Sequence, residues 1–263
     1  MNLKRSVVLA GLTLLSCSSP MKIMTYNVGV FGKYLEDSKP LVNRIIRHME
    51  ADIVSLNELD SCNRRHDVYQ IEELAGLLGG WDYHFTSAFP YAGGAYGNGI
   101  VSRSPILQRW SIALPKGEGS EPRSAAVVET DRCILASVHL DHKNKEAQLE
   151  QARILNEWFT ERFSGFRKPV FLCGDMNAVP DDLTIAELEK VWTLLSFNGA
   201  SYPSRSPRKC IDYIFRLTSS RKVKVLAGGT PSLISIGAGH TGISAIPIFD
   251  ASDHLPVWVK VRF

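Results

Sequence analysis

Six short polar clusters could do chemistry together in this chain, and Cys173-Gly174-Asp175-Met176-Asn177 is the most telling. It follows an apolar run, Pro169 to Leu172, that reads as a buried strand. Gly174 is expected to permit a tight turn, after which Asp175 and Asn177 offer a carboxylate and a carboxamide to one small volume. Such a pair suits a metal ion, a water or a phosphate, although Asp and Asn after a strand are also ordinary turn formers. Comparable clusters end other apolar runs: Thr25-Tyr26-Asn27, Asn57-Glu58 and Ser137-Val138-His139-Leu140-Asp141. Two more accompany late strands, Ile211-Asp212-Tyr213-Ile214-Phe215 and Ser252-Asp253-His254-Leu255-Pro256. Singly, each has a bland explanation: a capped turn for Asn27 or Asp253, a solvated acid for Glu58, a satisfied core histidine for His139. Six recurrences of one pattern point to a single assembled site.

These clusters must be positioned by a mixture of strands and helices. Lys22 to Val28 reads as the first strand and Asp52 to Leu56 as the second, with a helix over Ser38 to Glu50 between them and another over Val68 to Leu78. Further strands are expected at Gly97 to Arg103, Ile106 to Leu114, Ser124 to Thr130 and Cys133 to Val138. The best helix is Lys145 to Phe163, with Leu149, Ala152, Leu155, Phe159 and Phe163 on one face. Then follow a strand at Val170 to Cys173, a helix at Asp181 to Val191, and a Ser/Pro/Arg-rich loop at Asn198 to Lys209. Strands are expected at Cys210 to Arg216, Val223 to Leu226 and Leu255 to Phe263, and an irregular, mobile segment at Gly228 to Ala251. Helices alternate with strands only in places, so an α/β sandwich of mixed sheets fits better than a doubly wound parallel sheet.

At 263 residues and 44% hydrophobic, the chain can form one large domain, read as 21–263. Residues 1–20 read as a lipoprotein signal peptide and short linker: Lys4 and Arg5, the apolar run Val7 to Leu15, then Leu14-Leu15-Ser16-Cys17, which resembles a lipobox. Cys17 is then the lipidated residue and the protein sits in a bacterial cell envelope; translation from Met21 would instead leave it cytoplasmic. Only about 14 Å of chain would join Cys17 to the first strand. Asn27 lies roughly 17 Å along that strand, so the catalytic edge is expected to point away from the anchoring membrane. The net charge is +3, falling to +1 without Lys4 and Arg5, which gives no support to a nucleic-acid or anionic-membrane surface. Cys62, Cys133, Cys173 and Cys210 lack zinc-site spacing; a Cys173–Cys210 disulfide is open in an exported protein.

The ordered set Thr25-Tyr26-Asn27, Asn57-Glu58, His139-Leu140-Asp141, Gly174-Asp175-Met176-Asn177, Ile211 to Phe215 and Ser252 to Pro256 resembles the endonuclease/exonuclease/phosphatase superfamily from Lys22 to Phe263. The resemblance implies a four-layer α/β sandwich of two facing mixed sheets, with the site where strand ends meet at one edge. It implies that Glu58 is the main metal carboxylate, with Asn27 near it and Asp253 on the metal side. It further implies that Asp175 orients or deprotonates the attacking water, that Asn177 and His139 bind phosphate, and that Asp212 and His254 form a carboxylate–imidazole pair. Oxygen ligands of this kind suit Mg²⁺ or Mn²⁺, and a carboxylate beside His254 favours its charged form. Gly97-Asn98-Gly99-Ile100 resembles a segment that sets Asn98 near the phosphate. Arg123, before a strand, could bind an anionic substrate, with Arg205, Arg208 and Lys209 as a rim.

Two departures stand out. Gly29 occupies a position where some relatives, apurinic endonucleases among them, carry an acid, so Glu58 bears more of the metal; Ser137 stands where many have Asn, a change read as tolerable for the strand end's hydrogen bonding. The expected function is divalent-metal-dependent hydrolysis of phosphoric esters, by a phosphodiesterase or phosphatase acting on a small or lipid-derived phosphate, as a monomer. A nuclease is the alternative, without a dense basic stripe to support it. A non-catalytic surface-binding lipoprotein is the alternative of another class, opposed by the completeness of the residue set.

Overall fold

The computed structural model describes residues 19–239 and 242–263, so Cys17 lies outside the described residues. Its elements are β1 (Met21–Asn27), α1 (Lys39–His48), β2 (Ile53–Ser61), α2 (Gln70–Leu77), β3 (Asp82–Tyr91), β4 (Gly94–Ser102), β5 (Gln108–Leu114), β6 (Arg123–Glu129) and β7 (Ile134–His139). They continue with α3 (Lys145–Phe163), β8 (Val170–Asp175), α4 (Leu183–Glu189), β9 (Trp192–Leu194), β10 (Asp212–Leu217), β11 (Lys224–Gly229), β12 (Leu233–Gly239), β13 (Gly242–Pro247) and β14 (Val257–Arg262). One six-stranded sheet runs β11-β14-β1-β2-β4-β3 and the other β5-β6-β7-β8-β10-β9.

Alternation along the strands decides how these sheets stack. In β1, Ile23 turns toward the second sheet and packs with Val128, Leu135, Phe171 and Ile214. Met24 and Tyr26 turn the other way, onto Val42, Ile45 and Leu74 of α1 and α2. In the second sheet Leu172, Tyr213 and Phe215 face outward onto Ala152, Leu155 and Phe159 of α3 and onto α4. Three apolar layers therefore separate four structural layers, helix–sheet–sheet–helix. Each fully buried aliphatic side chain contributes roughly 1.5–3 kcal/mol. No helix among the described residues is long and apolar enough to cross a membrane.

Each sheet has one central parallel pair joined over a helix. β1 and β2 pair in parallel with Asn27 opposite Asn57, and β7 and β8 with His139 opposite Asp175. Both pairs end on the same side of the sandwich, which delivers four polar strand ends to one edge.

The structure corrects several local expectations. Gly174 is not in a turn but in β8, opposite Val138, where a Cβ would lie 1.9 Å from the Val138 carbonyl oxygen; close approach of the chains demands glycine there. β2 does not stop at Leu56 but continues to Ser61 past a bulge. β3 and β9 were not expected; β3 is an edge strand that tolerates Pro90, and its half-exposed pattern hides its period. The described residues of Gly228 to Ala251 are not irregular: they hold the end of β11, the antiparallel pair β12–β13, with Gly239 opposite Gly242, and a 3-10 turn at Ile248–Asp250, while 240–241 lie outside the described residues. Cys173 and Cys210 are free thiols in different core layers, so no disulfide joins them. In α3, Gln148 and Gln151 rather than Leu149 extend the buried face toward the site, because their amides hydrogen-bond loop carbonyls that would otherwise be unpaired.

Candidate active site

The converging strand ends line a cleft of about 1130 Å³. Asp175, the last residue of β8, is at its floor and 1% exposed. Its Oδ1 accepts a 2.8 Å hydrogen bond from the Asn177 amide, and its Oδ2 accepts one of 3.1 Å from Asn27 Nδ2. The Nε2 atoms of His139 and His254 both stand 3.6 Å from the same Oδ2. Burial first, and then the Asp212 carboxylate, push the Asp175 carboxyl up to about 7, against the pull of His254 and the donors from Asn177 and Asn27.

β10 runs antiparallel to β8 and sets Asp212 directly opposite Asp175. Asp212 Oδ2 accepts from Ser201 Oγ at 2.6 Å and lies 2.8 Å from His254 Nδ1. Burial alone would lower His254, but Asp212 and Asp175 outweigh it and raise the imidazole to about 10. Tyr202 packs against the His254 ring with centroids 4.9 Å apart. His139 behaves oppositely: burial, then Arg123 and His254, hold it well below the ordinary imidazole range, so it is neutral. The charged form expected for His254 is the one that its surroundings favour, while His139 is neutral.

The first sheet's edge is more open. The β2 bulge, with Glu58 at φ 57°, turns this side chain into the cleft. Asn27 Nδ2 donates to Glu58 Oε1 at 3.0 Å as well as to Asp175, while Asn27 Oδ1 accepts from the Gly29 amide at 3.1 Å. One carboxamide therefore spaces the two acids. Asp253, before β14, faces Glu58, and Lys33 Nζ stands between them, 3.5 Å from Glu58 Oε2 and 3.3 Å from Asp253 Oδ2.

A divalent cation fits this place. The donors are hard carboxylate oxygens, partly open to water, and an ammonium already stands between them as a cation. Asp175, Asp212 and His254 form a tighter cluster, their ligand atoms within 4.8 Å of one another. That cluster is less suited to an ion, because both nitrogens of His254 face carboxylates and its raised pKa keeps both protonated.

Other expected residues divide. Arg123 lines the cleft, nearly buried, with Nη2 2.9 Å from His142 Nδ1 and Nη1 3.6 Å from Glu121. Asn177 lines it too, held at φ 48° with its Nδ2 donating to the Leu140 carbonyl. Asn98 does not: it is buried, accepting from Asn57 and donating to the Ser124 carbonyl. Lys209 reaches the rim, whereas Arg205 pairs with Asp250 and stacks on Tyr34. Asp141 accepts from Ser120 and the Lys143 and Asn144 amides, shaping the approach to α3.

Ser137 is fully hydrogen-bonded at its strand end, in keeping with a tolerated change. Ser55 Oγ donates to it at 2.8 Å and it donates to the Leu56 carbonyl at 3.0 Å, bridging the sheets. Asn57 was missed as a positioning residue: its Oδ1 accepts from the Asp175 amide and its Nδ2 donates to the Val138 carbonyl. Gln148, which binds the Met176 and Asn177 carbonyls from α3, was missed as well. So was an aromatic wall of Phe89, Tyr91 and Tyr96, with Arg65 stacked 4.7 Å over Tyr91. Asparagine beside a catalytic acid is a usable signal; buried glutamine within a helical stripe is not.

A family model described as the Endonuclease/Exonuclease/phosphatase family matches residues 24–254. Among solved structures, an endonuclease/exonuclease/phosphatase family protein from Bacteroides thetaiotaomicron aligns with a TM-score of 0.73 at 19% identity, covering 93% of this chain and 95% of its own. A mannosyl-6-phosphatase from the same species aligns at 0.72 and 20%, covering 92% of this chain and all of its own. The human nocturnin catalytic domain, with bound sulfate, aligns at 0.65 and 18%, covering 92% and 93%. These likenesses establish the four-layer fold.

Proposed function

This chain belongs to the endonuclease/exonuclease/phosphatase family, and we propose that it hydrolyses phosphoric esters by in-line attack of water, assisted by Mg²⁺ or Mn²⁺. Glu58 and Asp253 would hold the ion, with Asn27 beside them. When bound, the ion supplies Lewis-acid neutralisation of phosphoryl charge. The observation that carries the proposal is the convergence on Asp175 Oδ2 of Asn27, His139 and His254, with Asp212 behind His254.

Asp175, raised to about 7, is a base matched to neutral solution. His254 stays protonated and presents Nε2–H to the same small volume, where it can neutralise a phosphoryl oxygen. Neutral His139 offers a further hydrogen bond, and Arg123 and Asn177 bind the anionic ester. A phosphodiesterase or phosphatase acting on a small or lipid-derived phosphate is favoured over a nuclease. Two of the cleft's cations are held by acids, Lys145 by Asp182 and Arg65 by Asp60, which supports a compact anionic ester at Arg123 over a long polyanion. The lipid anchor at Cys17, a place in the bacterial envelope and a monomeric state belong to the same proposal and rest on the sequence.

Hydrolysis of bis(p-nitrophenyl) phosphate against p-nitrophenyl phosphate, with Mg²⁺, Mn²⁺ or EDTA and a Glu58→Gln control, tests this. Metal-dependent cleavage lost in the control is expected. Turnover of neither ester, with no metal-induced rise in melting temperature, would move the protein to the binding-lipoprotein class.

A further inference from the structure

Lys33 was not among the residues singled out by sequence, yet the local chain is bent to deliver it. After β1, Gly29, Val30 and Phe31 all adopt left-handed φ angles of 53°, 51° and 56°. A β-branched residue at such an angle is a genuine outlier, held only when its surroundings over-determine it. Here Gln70 Nε2 donates to the Val30 carbonyl at 2.8 Å, the Phe31 side chain is buried, and the Ser38 amide donates to the Phe31 carbonyl at 2.8 Å. The reversal lays the Lys33 stem across Gly29. A Cβ at Gly29 would lie 2.3 Å from Lys33 Cγ and 2.6 Å from Cε. With Lys33 lying there, Gly29 leaves room for the stem that a side chain would block, and the ammonium stands between Glu58 and Asp253.

We infer that Lys33 is a resident counter-cation of the metal site: it holds Glu58 and Asp253 together in the metal-free protein and must be displaced by a divalent ion that takes the same two carboxylates. The inference rests on the metal-dependent reading proposed above. Two acids facing each other repel unless a cation separates them. An ammonium on a flexible stem can fill that place and withdraw, since it has no fixed coordination geometry. Removing it should therefore weaken the metal-free protein and tighten metal binding, because the ion no longer competes with an intramolecular cation. Lys33 acts through the two carboxylates, as a positioning residue.

The test is calorimetric titration of Mn²⁺ into purified, metal-stripped protein, with melting temperatures, for wild type, Lys33→Met and Lys33→Arg. Lys33→Met is expected to bind Mn²⁺ about tenfold or more tightly than wild type, within the usual range of coupling between sites, and to melt lower without metal. Lys33→Arg keeps the charge and can fork between two carboxylates, so its affinity is expected to equal or fall below that of wild type. Should Lys33→Met not fold, tightening in Lys33→Arg would overturn the inference. Equal or weaker Mn²⁺ binding by Lys33→Met, with wild type still binding, would overturn the role of Lys33 alone. Absence of Mn²⁺ binding in every variant would overturn it together with the metal-dependent reading.

Discussion

The two sheet edges that meet in the cleft are built on opposite principles. The second sheet contributes Asp175 and Asp212, 1% and 0% exposed, packed with His139 and His254. The first contributes Glu58 and, through the segment before β14, Asp253, whose side chains are 18% and 22% exposed. On the buried edge, desolvation and fixed neighbours set the protonation states, splitting two histidines into one charged and one neutral. On the open edge, the two carboxylates are met by the Lys33 ammonium. The comparison teaches that a dry, rigid pocket sets protonation states, whereas an edge open to water leaves its carboxylates accessible to a cation, and Asn27 ties the two at a fixed spacing.

The largest expected effects would break this division if they failed. Asp175→Asn and Asp212→Asn should each cut turnover, the former by about 10³-fold or more, with no recovery at higher Mn²⁺. Glu58→Gln should instead weaken metal binding, by about 10- to 100-fold on the scale seen when metal-site partners are removed, and recover in part as Mn²⁺ is raised. Rescue of Asp175→Asn by metal, or none for Glu58→Gln, would mean that the edges share one role.

The pH profile of kcat/KM sharpens the same contrast. In the proposed reaction Asp175 acts as a base only when ionised, so activity should fall as pH drops through about 7. His254 must stay protonated, so a second fall is expected only as pH rises toward about 10. Loss of the acid-side limb in Asp175→Asn residual activity is the check.

A stability measurement comes next. Asp175 has a folded pKa above its unfolded value near 3.9, so its ionisation opposes folding. That cost is absent below both values, grows between them and is fully present above about 7. Asp175→Asn should therefore melt higher than wild type at pH 8 without metal, with the gap closing toward pH 4. A lower melting temperature at pH 8 would show that the Asp175–His254 attraction outweighs the burial cost. The smallest effect is expected for Ser137→Ala, roughly 1 kcal/mol from the lost bond to the Leu56 carbonyl; a null result in thermal unfolding would mean that Ser55 re-pairs on its own.

Much of the architecture was legible because local periodicity carries it. α3 spans Lys145–Phe163 as its apolar stripe implies, and both central parallel pairs end on the polar clusters that marked them. β3 and β12–β13 were not legible, since an edge strand with Pro90 and a half-exposed pattern, and a glycine-bearing pair of strands, lack the clean alternation that marks a strand, although each pairs with its neighbour in sequence. Asn98 illustrates the limit of local pattern: the segment Gly97 to Ile100 suggested a phosphate contact, but the fold spends both ends of the Asn98 amide on Asn57 and Ser124.

The sequence by itself determined which chemical groups this protein has at its strand ends, because residue type and alternation are local. It held the acids, amides and imidazoles and the order in which they occur. Only the tertiary structure decided their states and divisions of labour. Burial of Asp175 beside Asp212 raises one carboxyl, and the same surroundings charge His254 while leaving His139 neutral. A left-handed turn over Gly29 brings Lys33 between two carboxylates that are 195 residues apart in the chain, at positions 58 and 253. Desolvation and through-space charge depend on what surrounds a group from every direction, which no linear spacing records.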